Sequence, residues 1–194
     1  MTPEPYHTAL KGGRLEAAFP VARHVTARGS VAVVHDIRRP LPVPYAACDV
    51  FYADLPGRGL QTFNERAGAE QGMQELLSGV AAAIRQVEAP VFLTALRMHE
   101  RHLPGPAVRQ ETTLNGVPAV LLGYGLDPGP VPSAETLLEQ LARDDALTCI
   151  GDFLCGYGRT GRVFAEHGKR FVMSDYNPTC IGYIAAHAGE WERR

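Results

Sequence analysis

No stretch of the 194-residue chain approaches the roughly 18 apolar residues that a membrane-spanning helix requires. Nor does Met1 to Ser30 carry an apolar core between a basic start and a small-residue cleavage site. Neither membrane attachment nor export is therefore expected, and the expected location is cytoplasmic. No charge sign dominates. Lys and Arg number 19 against 21 Asp and Glu, a net charge of −2, which excludes nucleic-acid binding by bulk charge and leaves only a local basic face. The four cysteines, Cys48, Cys149, Cys155 and Cys180, include no CxxC pair, so they read as reduced cytosolic thiols, neither a disulfide frame nor a zinc site. Internal repeats and low-complexity segments are missing too. What is present suits one globular domain with a sizeable core: 45% hydrophobic and 21% charged residues, with 20 Gly and 15 Pro for tight loops.

Met1 to Gly29 has little periodicity and reads as an N-terminal extension, with a short helix around Leu15–Ala22. Residues 30–194 read as the domain. Ser30 to Asp36, Asp49 to Asp54 and Pro90 to Leu96 are short apolar or β-branched runs that suit buried strands. Pro40 to Pro44 is a connector. Between Glu70 and Val87, Met73, Leu76, Leu77, Val80 and Ile84 share one helical face. Thr112 to Gly125 reads as two strands around Asn115-Gly116, a favoured hairpin turn. Ser133 to Ala142 opens with a capping residue and early acids, and Leu137, Leu138 and Leu141 give it an apolar face. A strand to Asp152, a helix from about Gly161 to His167, a strand Arg170–Asp175 and a helix from Pro178 to about Trp191 complete the chain. This alternation predicts an α/β fold, a Rossmann-like and mostly parallel sheet of about seven strands covered on both faces. Acids stand at four expected strand ends, Asp36, Asp54, Asp152 and Asp175, where such sheets bind ligands.

The loop Asp152-Phe-Leu-Cys-Gly156-Tyr-Gly158-Arg-Thr-Gly161 contains a literal GxGxxG, and Asp175 lies 19 residues after Gly156. That is the offset expected for an acid on a ribose hydroxyl, so a dinucleotide such as NAD fits. Two features favour S-adenosyl-L-methionine. Asp152, four residues before the first glycine, would repel an anionic pyrophosphate but suits a cofactor carrying an ammonium and a sulfonium. The loop also comes so late that only one helix follows Asp175, so the remaining strands of the sheet must come from upstream.

That order of segments resembles the circularly permuted β-class amino-methyltransferases, which modify adenine N6 or cytosine N4 in DNA. Val-Val-His-Asp36 is followed 18 residues on by Asp-Val-Phe-Tyr-Ala-Asp54-Leu-Pro56, similar to the family's strand ending in an Asp-Pro-Pro-Tyr type motif. Pro132-Ser-Ala-Glu-Thr-Leu-Leu138 looks like its helix before the glycine loop. Asp152-Phe-Leu-Cys155-Gly156-Tyr-Gly158 and Asp175-Tyr-Asn177-Pro178 look like its cofactor loop and the acidic strand end that follows. The resemblance implies that Gly156 and Gly158 pass under the methionine part, with Asp152 near its ammonium. Asp175 would hold the ribose hydroxyls, Asp36 would lie near the adenine amino group, and Ser133 and Thr136 would hold the carboxylate. Phe153, Cys155 and Tyr176 complete the implied cofactor set; Cys155 also reads as a small loop-packing residue. Asp54, Leu55 and Pro56 form the implied catalytic segment, where the Asp side chain and the proline region accept hydrogen bonds from a target NH2. DNA, with adenine N6 favoured, is the implied substrate.

The chain departs from the family at two places. Leu55 stands for the first proline and Gly57 for the aromatic that stacks on a flipped base, a contact worth roughly 1–3 kcal/mol. Phe63 or Tyr52 are the replacements in reach along the sequence. Secondly, Arg97 to Pro130 is only 34 residues, with sheet strands inside it, which is short for a target-recognition region. A second copy of the chain, as a homodimer, or a partner subunit would then supply recognition. Arg58, Arg66, Arg97 and Arg101 are candidates for a basic lip beside Asp54. Met98-His-Glu-Arg-His102 reads as a solvated loop and not as a metal site. Three readings stay open: a methyltransferase acting on an exocyclic amine, an NAD-dependent oxidoreductase, and a non-catalytic relative that binds cofactor or nucleic acid.

Overall fold

A computed structural model describes residues 22–56, 72–114 and 117–193. Apart from Ala22, the helix expected around Leu15–Ala22 lies outside them, as do Asn115 and Gly116. Eight strands are formed: β1 (Arg23–Val25), β2 (Val31–Val34), β3 (Val50–Asp54), β4 (Val91–Ala95), β5 (Val108–Leu114), β6 (Val117–Tyr124), β7 (Cys149–Asp152) and β8 (Arg170–Asp175). Between them lie helices α1 (Met73–Gln86), α2 (Arg97–Glu100), α3 (Ala134–Arg143), α4 (Arg159–Glu166) and α5 (Pro178–Trp191), and a 3-10 turn at Val43–Ala47.

One sheet has the order β1-β2-β8-β7-β3-β4-β6-β5. Its centre, β2 to β4, is parallel, while β1 pairs antiparallel with β2 at one edge and the β5–β6 hairpin joins β4 antiparallel at the other. The expectation of about seven mostly parallel strands is corrected to eight in a mixed sheet. The added strand, β1, is Arg-His-Val, too short and polar to show a period; its register is set by β2. β5 and β6 are antiparallel because the two residues between them are too few for a crossover, and β6 in turn joins β4 antiparallel.

Local signals set the helices. Ser133 caps α3, its hydroxyl accepting the Thr136 N–H at 3.1 Å, with Glu135 in the first turn and Arg143 in the last, each suited to the helix dipole. Asn177 caps α5 through Thr179 N–H at 3.0 Å, and Pro178 follows at the first helical position, where its missing N–H costs nothing. Leu76, Leu77, Val80 and Ile84 of α1 are buried.

The sheet has a core on each face. Leu137, Leu138, Phe164, Ile181 and Ile184 of α3, α4 and α5 pack over Val50, Tyr52, Phe92, Ile150, Phe171 and Met173. The buried side of α1 and Tyr45 cover Phe51, Ala53, Leu93, Cys149 and Val172. Strand side chains alternate between faces. Asp54 follows Val50 and Tyr52 in phase, Asp152 follows Ile150, and Asp175 follows Phe171 and Met173, so all three acids belong to the face that α3, α4 and α5 cover.

Candidate active site

The central strands run on in opposite directions across the sheet. From β7 the chain passes through α4 to β8 on one side, and from β3 through α1 to β4 on the other. The β7–β3 boundary is therefore the topological switch point, where ligands of open α/β sheets bind beyond the strands' carboxyl ends. Asp152 ends β7, Asp54 ends β3, and Asp175 ends the adjoining β8.

These acids form an electrostatic unit. Asp152 is 3% exposed, and burial pushes its carboxyl up to about 8, helped by the negative charge of Asp54 and Asp175 and opposed by the Thr160 hydroxyl and the Leu154 N–H. Burial also raises Asp175, against the N–H groups of Asn177, Gly156 and Tyr176. Asp54 is raised by burial, against the hydroxyls of Thr94 and Tyr52 and the nearby Arg159; Glu135 pushes it further up. Asp54 and Asp175 keep partial solvent exposure although protein surrounds them closely, as at the floor of a recess. Buried carboxylates without matching cations are costly, and a cationic ligand relieves that cost.

The glycines have separate roles. Gly156 has φ +49°, and a Cβ placed there would meet open space. Gly158 has φ +83°, and its Cβ would lie 2.8 Å from Ile184 Cγ1 and 3.0 Å from Trp191 on α5. Gly161 lets α4 approach β8, where a Cβ would come within 2.3 Å of Met173 Cε and 2.9 Å of Phe171. Of the three, only Gly156 has open space where a side chain would stand. Its N–H is fixed by the Asp175 carboxylate at 2.9 Å. Cys155 packs inside the loop with a thiol pushed up by burial, and Phe153 is buried against Phe51 on the opposite face of the sheet. Phe153 therefore supports the loop from beneath and does not line the recess.

Ser133 and Thr136 stand together, their hydroxyls 3.1 Å apart at the start of α3. Glu135 between them reaches Arg159 of α4 at 3.4 Å, and Arg159 in turn acts on Asp54, so the starts of α3 and α4 border the acids. Asp36 is differently placed. Arg38 grips its carboxylate, with Nη2 2.7 Å from Oδ2 and Nε 2.9 Å from Oδ1, and this holds Asp36 below the usual carboxylate range. Tyr176 lies within the field of Asp175, Arg38 and Asp36. The fold brings Asp54, Asp152, Asp175, Gly156, Ser133 and Thr136 to one region, with Asp36 and Tyr176 at its β2 side.

In the catalytic segment, Leu55 is buried and its N–H donates to the Thr94 carbonyl at 2.9 Å, while Pro56 is half-buried. Tyr52 does not replace the missing aromatic: its ring is in the core and its hydroxyl donates to Asp54 at 2.7 Å. Phe63, Arg58 and Arg66 lie outside the described residues. Arg97 is paired with Glu111 at 2.7 Å, and Arg101 donates to His102 at 3.1 Å. His99 is buried and Glu100 is bound by Arg109 at 2.6 Å. Among the described residues no group of three His, Cys, Asp or Glu side chains is placed to hold a metal ion, and no helix is long and apolar enough to cross a membrane. Sequence reading missed Arg159, Thr160 and Thr94: the first two are the variable positions before Gly161 in GxGxxG, where the motif prescribes no residue type, and only strand register brings Thr94 to Asp54.

An open α/β sheet with a glycine loop at the switch point, in permuted chain order, defines the class of this fold. TTHA0409 of Thermus thermophilus, provisionally named a DNA modification methylase, aligns over 76% of this chain and 88% of its own, at a TM-score of 0.50 and 13% identity. M1.HpyAVI aligns over 74% and 87% at 0.49 and 11% identity, and its SAM complex over 73% and 88% at 0.43 and 10% identity, both too distant to add to that likeness. No family model matches the sequence, and no curated protein matches it. The likeness to a protein named as a DNA modification methylase is therefore one of fold.

Proposed function

We propose that this protein is an S-adenosyl-L-methionine-dependent methyltransferase whose acceptor is an exocyclic amino nitrogen of a nucleobase, with adenine N6 in DNA favoured. The observation that carries the reading is the buried acid set Asp175, Asp152 and Asp54 around a glycine loop with room at Gly156. Three clustered carboxylates, with Arg159 beside Asp54, suit an ammonium and a sulfonium and oppose a pyrophosphate, which sets NAD aside. The likeness in fold to a protein named as a DNA modification methylase supports the same reading.

The chain's own groups fit that cofactor. Asp152 suits its ammonium, Asp175 its ribose hydroxyls, and the hydroxyls of Ser133 and Thr136 its carboxylate. Gly156 and Gly158 keep the loop backbone close; Cys155, Phe153 and Tyr176 shape and support it. Asp36 serves the adenine end once Arg38 shares it. When bound, the cofactor supplies an electrophilic methyl group. Asp54 accepts a hydrogen bond from the target N–H, which makes the nitrogen a better nucleophile, and it is the nearest base for the proton that must leave. Leu55 and Pro56 carry the chain out of β3 beside it.

With β5 and β6 both built into the sheet, 15 of the 34 residues from Arg97 to Pro130 are strand. Target recognition on DNA is therefore assigned to a second copy or a partner subunit. The test is methyl transfer from tritiated S-adenosyl-L-methionine to DNA, RNA, nucleosides and protein in parallel, beside thermal shifts with S-adenosylhomocysteine and NAD. Label on DNA and a shift with S-adenosylhomocysteine alone are expected; a shift with NAD alone would sink the reading.

A further inference from the structure

Asp54 is held differently from the other strand-end acids. Backbone N–H groups secure Asp175, whereas two side-chain hydroxyls meet on a single oxygen of Asp54. Oδ1 accepts from Tyr52 at 2.7 Å and, through a short bond, from Thr94. Neither donor depends on a loop. Tyr52 lies two residues before Asp54 on β3, hence on the same face, and Thr94 is the register partner of Asp54 on β4. Both donors are fully buried. Burial keeps the Tyr52 hydroxyl protonated far above neutrality, so it remains a donor. Two donors use the lone pairs of Oδ1, and among the described residues no donor reaches Oδ2.

The surroundings make such a lock useful. Glu135 of α3 faces Asp54 with negative charge, Arg159 of α4 faces it with positive charge, and Asp54 in turn acts on Asp152 of β7. Burial beside acids favours the neutral form, whose O–H would donate where an amine needs an acceptor.

We infer that Tyr52 and Thr94 are positioning residues that occupy Oδ1 and orient the carboxylate, leaving Oδ2 as the acceptor for one substrate N–H. The site then takes a substrate that donates an amino hydrogen and rejects one that presents a carbonyl oxygen at that point. This inference rests on the reading of Asp54 as the amine-binding group.

Carbon-detected NMR on the full chain labelled with 13C-aspartate follows the Asp54 carboxyl directly, assigned with Asp54→Asn. Tyr52→Phe keeps the ring and Thr94→Val the branched shape; Thr94→Ser restores the hydroxyl, and a thermal melt checks each fold. Tyr52→Phe and Thr94→Val are each expected to raise the Asp54 titration by about one pH unit, a tenfold change in its ionisation constant. Thr94→Ser should titrate like the unaltered chain, and Asp175 should not move. In methyl transfer to adenine-containing oligonucleotides, the acid limb of kcat should move up by the same amount while KM for the cofactor holds. Unmoved Asp54 titrations with normal methyl transfer would overturn the lock alone. Moved titrations without methyl transfer in the unaltered chain would overturn the amine-binding role of Asp54 and leave the hydroxyl lock standing.

Discussion

The carboxylate of Asp175 at the end of β8 accepts the N–H of Gly156 at 2.9 Å, so the strand end holds the glycine loop that precedes it by 19 residues. Its other oxygen accepts the Asn177 N–H at 2.9 Å. Asp175→Ala leaves both donors without their partner and should cost about 1–3 kcal/mol. The melting temperature falls by several degrees, and the shift with S-adenosylhomocysteine disappears. Asp175→Asn keeps one acceptor oxygen and should retain more of the stability than Asp175→Ala. Equal melting temperatures for the two would show that the carboxylate does not hold the loop.

Gly156 and Gly161 should separate binding from stability. Gly156→Ala adds a methyl group to open space at φ +49°, a strain of roughly 1–2 kcal/mol. It should weaken S-adenosylhomocysteine binding tenfold or more with a small drop in melting temperature. Gly161→Ala meets Met173 and Phe171 in the core and should destabilise by about 1–3 kcal/mol, with little direct effect on the ligand surface. Paired melts and calorimetric titrations measure both; loss of binding in proportion to stability in every variant would contradict the division.

Asp152 should couple cofactor binding to protons. Its carboxyl titrates at about 8 in the folded chain, far above the ordinary 3.8. Between those values the folded chain carries a proton that the unfolded chain has lost, so stability from this group falls as pH rises from about 4 to about 8. Asp152→Asn should flatten that slope and melt higher at pH 8. A cationic ligand favours the ionised form, so affinity for S-adenosyl-L-methionine should increase with pH up to about 8, with a proton released near pH 7. Calorimetry in buffers of different ionisation enthalpy reads that proton, and pH-independent binding would remove Asp152 from the cofactor site.

Asp54→Asn should leave cofactor affinity within about twofold and reduce methyl transfer by roughly 10²–10⁴. The Asn oxygen can still accept from Tyr52 and Thr94, which turns its NH2 toward the substrate where an acceptor is needed. Full activity of Asp54→Asn in the tritium assay would place the amine elsewhere.

Much of the fold was legible along the chain because its signals are local. β8 and α5 begin and end where an apolar run, Asn177 and Pro178 mark them, and Ser133 caps α3 as its hydroxyl predicts. β1 was not legible, since three residues without a hydrophobic period become a strand only by pairing with β2. In the site, Asp54, Asp152, Asp175 and the glycines announced themselves by position. What the sequence did not show is that Phe153 packs into the opposite core, where alternation past the strand end sends it, and that Arg38, two residues on, folds back upon Asp36.

By itself the sequence determined the alternation of strands and helices, the late glycine loop and the acids that end β3, β7 and β8, because hydrophobic period, capping and turn chemistry act over a few residues. Only the tertiary structure decided which acids share a face, that Thr94 stands beside Asp54, that Arg159 meets Glu135, and that a side chain at Gly156 would meet open space. Those relationships depend on strand order and register between segments far apart in the chain, such as Asp54 and Asp175, and long-range packing sets them, not local preference.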